Sequence, residues 1–331
     1  MLGKLSTAKW KYAKRWVYSI TYDEALYELH QYAIPNHEEF GIPGHLEVVS
    51  CAIGEERQIG ASSYNGFHHM SGPQLREMIR YGWGVGCHSW DHTSVMANPE
   101  LQLLKARLVL EDAIGRGVTV YVAPGDNSNM VPPIPEKAKE YGYLAAMGLA
   151  DQLNFSDSDV EDLFILQRPP LHEKMTTLYD RIFDPFNRIS QAKKQEAWLM
   201  DYLHCPMPTA VHDYKDVNAA HHRERLQTVA EEGKYDCWFA NPDDVVDYRY
   251  MRRHTAVTED ETGWTIHQTD LPQRVMNREL TFLLDTIYSP ESLVLTCDGR
   301  EYPLYPLSPR VLQFTAPVSD GTSIKLRKRF G

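Results

Sequence analysis

Two histidines four residues apart close the run Gly82-Trp83-Gly84-Val85-Gly86-Cys87-His88-Ser89-Trp90-Asp91-His92. Imidazole is a common metal ligand, and a strand that opens into a helical turn aims positions i and i+4 at one point. Surface helices carry such pairs too, so His88 and His92 by themselves allow either reading. A second candidate is Trp16-Val17-Tyr18-Ser19-Ile20-Thr21-Tyr22-Asp23-Glu24, a β-branched and aromatic stretch that ends in two adjacent acids. Neighbouring carboxylates in different surroundings can divide roles, one binding a cation and the other held as a base. The competing reading makes Asp23 and Glu24 solvated acids in the first turn of the next helix. Cys87 reads as a small packing residue beside His88.

The elements that must position these groups alternate. Apolar runs near residues 16–24, 45–50, 82–88, 118–123, 144–147, 164–168, 197–205 and 237–240 read as strands. Helical patterns fall between them, over 25–32, 71–79, 98–115, 134–141, 188–197 and 216–233, and a last helix runs through Tyr250. Residues 54–72 form a loop holding His68 and His69, either cleft-lining or plain surface histidines, and 151–162 form an acidic loop. Alternation on this scale predicts parallel strands joined by crossover helices and a barrel of about seven strands. The strand ends carry Asp23, Glu24, His88, Asp126 and His204, the edge at which barrel enzymes do chemistry.

Composition bounds the rest. The 331 residues suit one large and one small domain, and 43% hydrophobic residues can fill a core. A net charge of -11 argues against a nucleic-acid partner, and no apolar run spans a membrane. Five scattered cysteines without a CxxC pair suit a reducing compartment, and no signal peptide is visible, so a cytoplasmic location is expected, or a secreted one if these residues are a trimmed piece of a longer chain. Beyond Arg253 short alternating runs separated by Ser289-Pro290, Asp298-Gly299 and Asp320-Gly321 predict a small all-β sandwich. The expected division is 1–253 and 254–331, with the second part serving packing, homo-oligomer contact or carbohydrate docking.

Taken together, these residues resemble a known family. Thr21-Tyr22-Asp23-Glu24 resembles the TFDD motif of NodB-type polysaccharide deacetylases, carbohydrate esterase family four, and His88-Ser89-Trp90-Asp91-His92 is similar to their HSxxH motif. Phe40-Gly41-Ile42-Pro43 falls at their second strand, and His204 looks like their last catalytic histidine. The resemblance covers roughly residues 15–253. It implies a deformed (β/α)7-type barrel and a hydrolase that removes acetyl from an N- or O-acetylated carbohydrate. By the same resemblance Glu24, His88 and His92 hold a divalent metal (Zn²⁺ first, with Co²⁺, Ni²⁺, Mn²⁺ or Fe²⁺ as substitutes), Asp23 is the general base and His204 the general acid. A metal in that place would lower the pKa of its water and polarise the acyl group.

Two departures stand out. Glu24 replaces the family's usual aspartate, and Tyr121-Val122-Ala123-Pro124-Gly125 keeps only the Pro and Gly of RxPxG. Arg168 of Arg168-Pro169-Pro170 is the candidate replacement for the missing arginine. Tyr121, Pro124, Gly125, Asp126, Arg168 and Trp198 are expected to line the substrate cleft, although strand packing accounts equally for Trp198. His212 rivals His204 as the acid, and of His221 and His222 one must face inward. Two other readings remain open: a hydrolase of cyclic amides or ureides on the same fold, some relatives of which need no metal, and a carbohydrate-binding relic.

Overall fold

The computed structural model describes residues 2–155, 162–173 and 185–329. The acidic loop expected over 151–162 lies partly outside them. The chain forms two compact units, Trp16–Asp244 and a second made of Met1–Arg15 with Val245–Gly331.

In the second unit β1 (Lys4–Thr7) precedes the strands of the other unit in sequence. The larger unit holds β2 (Trp16–Asp23), β3 (His45–Val48), β4 (Gly84–Cys87), β5 (Val120–Val122), β6 (Ala145–Gly148), β7 (Leu166–Gln167), β8 (Trp198–Leu203) and β9 (Cys237–Phe239). They form one parallel sheet in the order β7-β6-β5-β4-β3-β2-β8. A parallel bridge between Pro170 and Tyr202 joins the chain just past β7 to β8 and closes the ring. The expected seven-stranded barrel is therefore present, with one deformation. β2 pairs with β3 only over Thr21–Asp23, and its first residues, Trp16–Tyr18, pair instead with β9.

Helices cover the outside of this barrel, among them Gly72–Arg80, Ala106–Ile114, Ile134–Glu140 and Ala219–Gly233. The helix expected over 25–32 is shorter than its pattern, at Leu29–Tyr32, and a second helix, Ile34–Phe40, follows with Pro35 in its first turn. The reason is local. Glu24 and Ala25 sit at φ 70° and 49°, left-handed values that no helix accepts.

Period-two alternation sorts the side chains of β2. Tyr18, Ile20 and Tyr22 point outward, where Tyr18 donates to Asp201 and Tyr22 meets His37 and His222. Ser19, Thr21 and Asp23 point inward, where Ser19 accepts from Trp198 and the other two accept from Arg168. The barrel lumen is thus polar where branched apolar layers would be usual.

In the second unit β10 (Thr255–Glu259), β11 (Trp264–Gln268), β12 (Glu279–Asp285), β13 (Leu293–Cys297), β14 (Arg300–Tyr302), β15 (Tyr305–Ser308), β16 (Val311–Pro317) and β17 (Ser323–Lys328) form two antiparallel sheets. Their orders are β1-β12-β16-β15 and β10-β11-β17-β13-β14. The strand character expected beyond Arg253 is found, but residues 1–15 belong with it: Lys4–Thr7 pair antiparallel with Phe282–Asp285. Four residues reading Lys-Leu-Ser-Thr carry too short a pattern to announce that pairing. Among the described residues no helix is long and apolar enough to cross a membrane.

Candidate active site

The carboxyl ends of β2, β4 and β8, with the loops after them, meet in a small cavity of about 50 Å³ lined by Asp23, Glu24, Arg57, His92, Gly125, Leu149, Tyr202, His204 and Lys215. Asp23 ends β2 on its inward face and is nearly buried. Arg168 Nη1 donates to Asp23 Oδ1 at 2.6 Å and to Thr21 Oγ1 at 3.0 Å. The guanidinium expected from the Arg168-Pro169-Pro170 turn therefore reaches the carboxylate. Burial by itself would raise the Asp23 pKa, but the adjacent Arg168 charge outweighs it and holds the group well below the usual carboxylate range.

Glu24 follows in a left-handed conformation, as does Ala25. Such residues cost roughly 1–3 kcal/mol each and persist where the surroundings over-determine them. The surroundings here are the loop 54–70. Met70 N donates to the Ala25 carbonyl at 2.9 Å, Tyr27 N to the His68 carbonyl at 2.7 Å, and His69 Nδ1 to the Glu24 carbonyl at 2.7 Å. The same loop delivers Arg57, whose Nε and Nη2 grip both Glu24 oxygens, the latter at 2.8 Å, while Asn65 Oδ1 accepts from Nη1 at 2.6 Å. Burial opposes ionisation of Glu24, and the Arg57 hydrogen bond overcomes it, bringing the group to about 2.

His88 and His92 converge by a route other than the helical turn expected. Residues 88–92 are a loop in which Ser89 and His92 are left-handed, at φ 71° and 62°. Ser89 Oγ accepts from His92 N at 3.0 Å, and Gln102 Oε1 accepts from Trp90 N at 3.0 Å. The two rings meet edge to face with centroids 5.0 Å apart. His88 donates Nδ1–H to the Val122 carbonyl at 3.1 Å. Among the described residues its buried Nε2 has no hydrogen-bond partner and lies 3.9 Å from Asp23 Oδ2. Burial pushes the His88 pKa down to about 3, so the imidazole is neutral with its lone pair toward Asp23.

His204 stands just past β8 and is buried. Its ring stacks on Tyr64 at 4.6 Å. Asp216 fixes the turn by accepting from the backbone N–H of His204 at 2.7 Å and of Cys205 at 3.0 Å, and Tyr64 donates to its other oxygen at 2.5 Å. Asp216 Oδ1 lies 3.9 Å from His204 Nδ1.

The metal set expected from the sequence can be tested against this geometry. His88 is built as a ligand, with a carbonyl on Nδ1 and a bare Nε2. Glu24 is not, because Arg57 spans both its oxygens, and His92 Nε2 stands 3.9 Å from Oε1. Among the described residues no three His, Cys, Asp or Glu side chains are grouped to hold an ion. As arranged, Glu24, His88 and His92 do not fit a metal.

The remaining expected residues divide. Arg168 and Gly125 reach the site, Pro124 is buried beside it and gives its carbonyl to Asn129 Nδ2, and Asp126 is exposed and caps the short helix Asn127–Met130. Tyr121 and Trp198 are fully buried and line no cleft: Tyr121 donates to the Asn129 carbonyl, and Trp198 Nε1 donates to Ser19 low in the barrel. His212 stays outside the cavity, His221 pairs with Glu173, and His222 faces inward onto Tyr22. Arg57, Tyr64 and Asp216 were not anticipated. They come from loops without a periodic pattern, and only the clustering of Arg57, Tyr64, His68 and His69 in one Gly- and Ser-rich stretch could have drawn attention to them.

No protein-family model matches the chain, and no curated protein matches it. Solved structures similar to it include one from Mycobacterium smegmatis described as a polysaccharide deacetylase, at 17% identity over 75% of this chain and 94% of that one, with a TM-score of 0.44. Others are a polysaccharide deacetylase from Bacillus cereus (13%, 68% and 91%, TM-score 0.42) and a peptidoglycan deacetylase from Bacillus subtilis (12%, 72% and 93%, TM-score 0.42).

Proposed function

We propose that the chain is a hydrolase that removes an acetyl group from an acetylated carbohydrate, acting on the amide or ester carbon through Asp23 and His204. One observation carries this reading. A buried carboxylate, ionised by Arg168, shares a cavity with a histidine whose orientation is set by Asp216 and Tyr64. Those are the two groups acyl hydrolysis needs. Asp23 takes a proton from the attacking water, and His204 gives one to the departing nitrogen or oxygen, which otherwise leaves poorly. Negative charge growing on the carbonyl oxygen would meet Arg57 and His92 in the same cavity wall. The choice of acetylated carbohydrate rests on the resemblance of Thr21-Tyr22-Asp23-Glu24 and His88-Ser89-Trp90-Asp91-His92 to their motifs.

The test is acetate release from a panel of N-acetylated chitooligosaccharides and O-acetylated xylans, with cyclic ureides assayed in parallel. Acetate from the sugars that disappears in Asp23→Asn supports the reading. Turnover of ureides alone would replace it with the small-amide alternative, and sugar binding without turnover would leave a lectin-like remnant.

A further inference from the structure

Glu24 already has a cation, and a loop is built to supply it. Arg57 is nearly buried in the cavity wall. Its Nε and Nη2 donate to different oxygens of Glu24, the second at 2.8 Å, in the forked arrangement that makes arginine–carboxylate pairs strong. Nη1 serves the frame of the loop, donating to Asn65 Oδ1 at 2.6 Å and to the Ile59 carbonyl at 3.3 Å. Asn65 is itself pinned. Its Oδ1 also accepts from Ile59 N at 3.1 Å, and its Nδ2 donates to the Gly60 carbonyl at 2.8 Å. Across the loop, Arg57 N donates to the Phe67 carbonyl at 2.6 Å, and Gly66 N donates to the Arg57 carbonyl at 3.0 Å. The guanidinium carbon lies 5.7 Å from the centroid of Tyr64, the ring that stacks on His204.

A guanidinium carries five N–H donors. Four of those of Arg57 are engaged, and among the described residues the fifth, on Nη2, has no partner. It belongs to a side chain that lines the same cavity as Asp23 and His204. A divalent ion on Glu24 would have to displace the fork. Arg57 would then stand buried, stripped of its counter-ion and next to a like charge, which a buried pair resists strongly. His92 does not lift that obstacle, because its Nε2 is 3.9 Å from Glu24 Oε1 while Arg57 holds that oxygen.

We propose that Arg57 takes the place of a metal in this site: its guanidinium is the fixed positive charge, Glu24 is its counter-ion, and hydrolysis proceeds without a divalent ion. In that reaction the oxygen of water bonds to the acyl carbon while its proton passes to Asp23. The carbonyl electron pair moves onto oxygen, where the fifth N–H of Arg57 meets it. That pair returns as the bond to the leaving nitrogen or oxygen breaks, and His204 protonates the departing atom. The acyl chemistry rests on the proposed function. The hold of Arg57 on Glu24 does not.

Full-length protein carrying ¹⁵N-arginine, purified without chelator, is analysed for bound divalent metal. The side-chain Nε–H resonance of Arg57, assigned by its loss in Arg57→Lys, is then followed as Zn²⁺ is added in equimolar amount. The expected result is no stoichiometric metal and an Arg57 resonance that Zn²⁺ leaves in place but Glu24→Gln displaces. Where an acetylated sugar is turned over, chelator leaves kcat unchanged. Arg57→Ala lowers kcat by about 10²–10³-fold, and Arg57→Lys recovers part of the loss. A stoichiometric divalent ion in the native protein, an Arg57 resonance displaced by Zn²⁺, or turnover that chelator abolishes and metal restores overturns the proposal. So does an unchanged kcat in Arg57→Ala. If that variant does not fold, the metal content, the Zn²⁺ titration and the chelator assay, all on native protein, decide alone. A metal-free protein whose Arg57 resonance answers to Glu24 but which turns over no acetylated sugar leaves the pairing standing and counts against the proposed function alone.

Discussion

Two buried arginine–carboxylate pairs, on opposite faces of the same barrel wall, have different fates. On the outside, Arg225 from the helix Ala219–Gly233 meets Asp201 of β8, with Nε on Oδ2 at 2.7 Å and Nη2 on Oδ1 at 3.2 Å. Tyr18 adds its hydroxyl to Asp201 Oδ2 at 2.9 Å. On the inside, Arg168 reaches Asp23 with one nitrogen and, among the described residues, leaves two without hydrogen-bond partners, while His88 Nε2 lies 3.9 Å from Asp23 Oδ2. The outer pair ties a helix to a strand and is saturated. The inner pair keeps hydrogen-bonding capacity in reserve beside a cavity. A buried charge with capacity to spare signals chemistry more reliably than burial or charge alone.

Breaking each pair separately should divide activity from stability. The largest effect is expected at the inner one: Asp23→Asn lowers acetate release by about 10²–10⁴-fold in steady-state assays. At the outer pair, Arg225→Met leaves Asp201 buried and uncompensated and costs about 3–5 kcal/mol, read from urea denaturation. Equal loss of activity in both variants at matched folded fraction would erase the distinction.

The buried His45, with Nδ1 on Glu47 Oε1 at 2.7 Å and Nε2 3.3 Å from Asp243 Oδ1, makes a pH prediction. Burial alone would lower the His45 pKa, but the Glu47 and Asp243 carboxylates outweigh it and raise the group from 6.5 to about 9. A raised folded-state pKa contributes stability that is complete below pH 6.5 and is lost as pH climbs through about 9. The size is about 3 kcal/mol. Denaturation midpoints should fall across that window in the native sequence and fall less in His45→Gln. The smallest expected effect concerns a third pair, Arg57–Glu24. Because Arg57 spans the carboxylate, Arg57→Ala frees Glu24 and should make weak Zn²⁺ binding detectable by calorimetry where the native protein shows none. No Zn²⁺ binding in the variant would mean that Glu24 is not a ligand in either form.

Much of this barrel is written in period and punctuation. Apolar runs ending in Asp23, His88 and His204 locate the strands and their chemical edge, because a strand's end fixes where its last side chain points. Arg168 was accessible as well, as a guanidinium at a strand end matching a missing one. Conformation at single residues was not. The left-handed Glu24, Ala25, Ser89 and His92 shorten one helix and replace another, and no propensity scale foresees φ > 0 at Glu, Ala, Ser and His together. Nor could sequence show that Tyr121 and Trp198 turn their rings into packing, or that Asp216 reaches back 12 residues to hold His204. Those depend on long-range packing that local pattern does not encode.

The glycines of β4 carry a historical consequence. A methyl group at Gly84 would come within 2.2 Å of His45 Cδ2, as one at Gly86 would of Glu47. Neither position can drift to alanine while those two side chains remain, and neither side chain is useful without the space. The four positions should therefore change together or not at all among descendants of a common ancestor. Branches that have filled the β4 glycines should also have discarded His45 and Glu47.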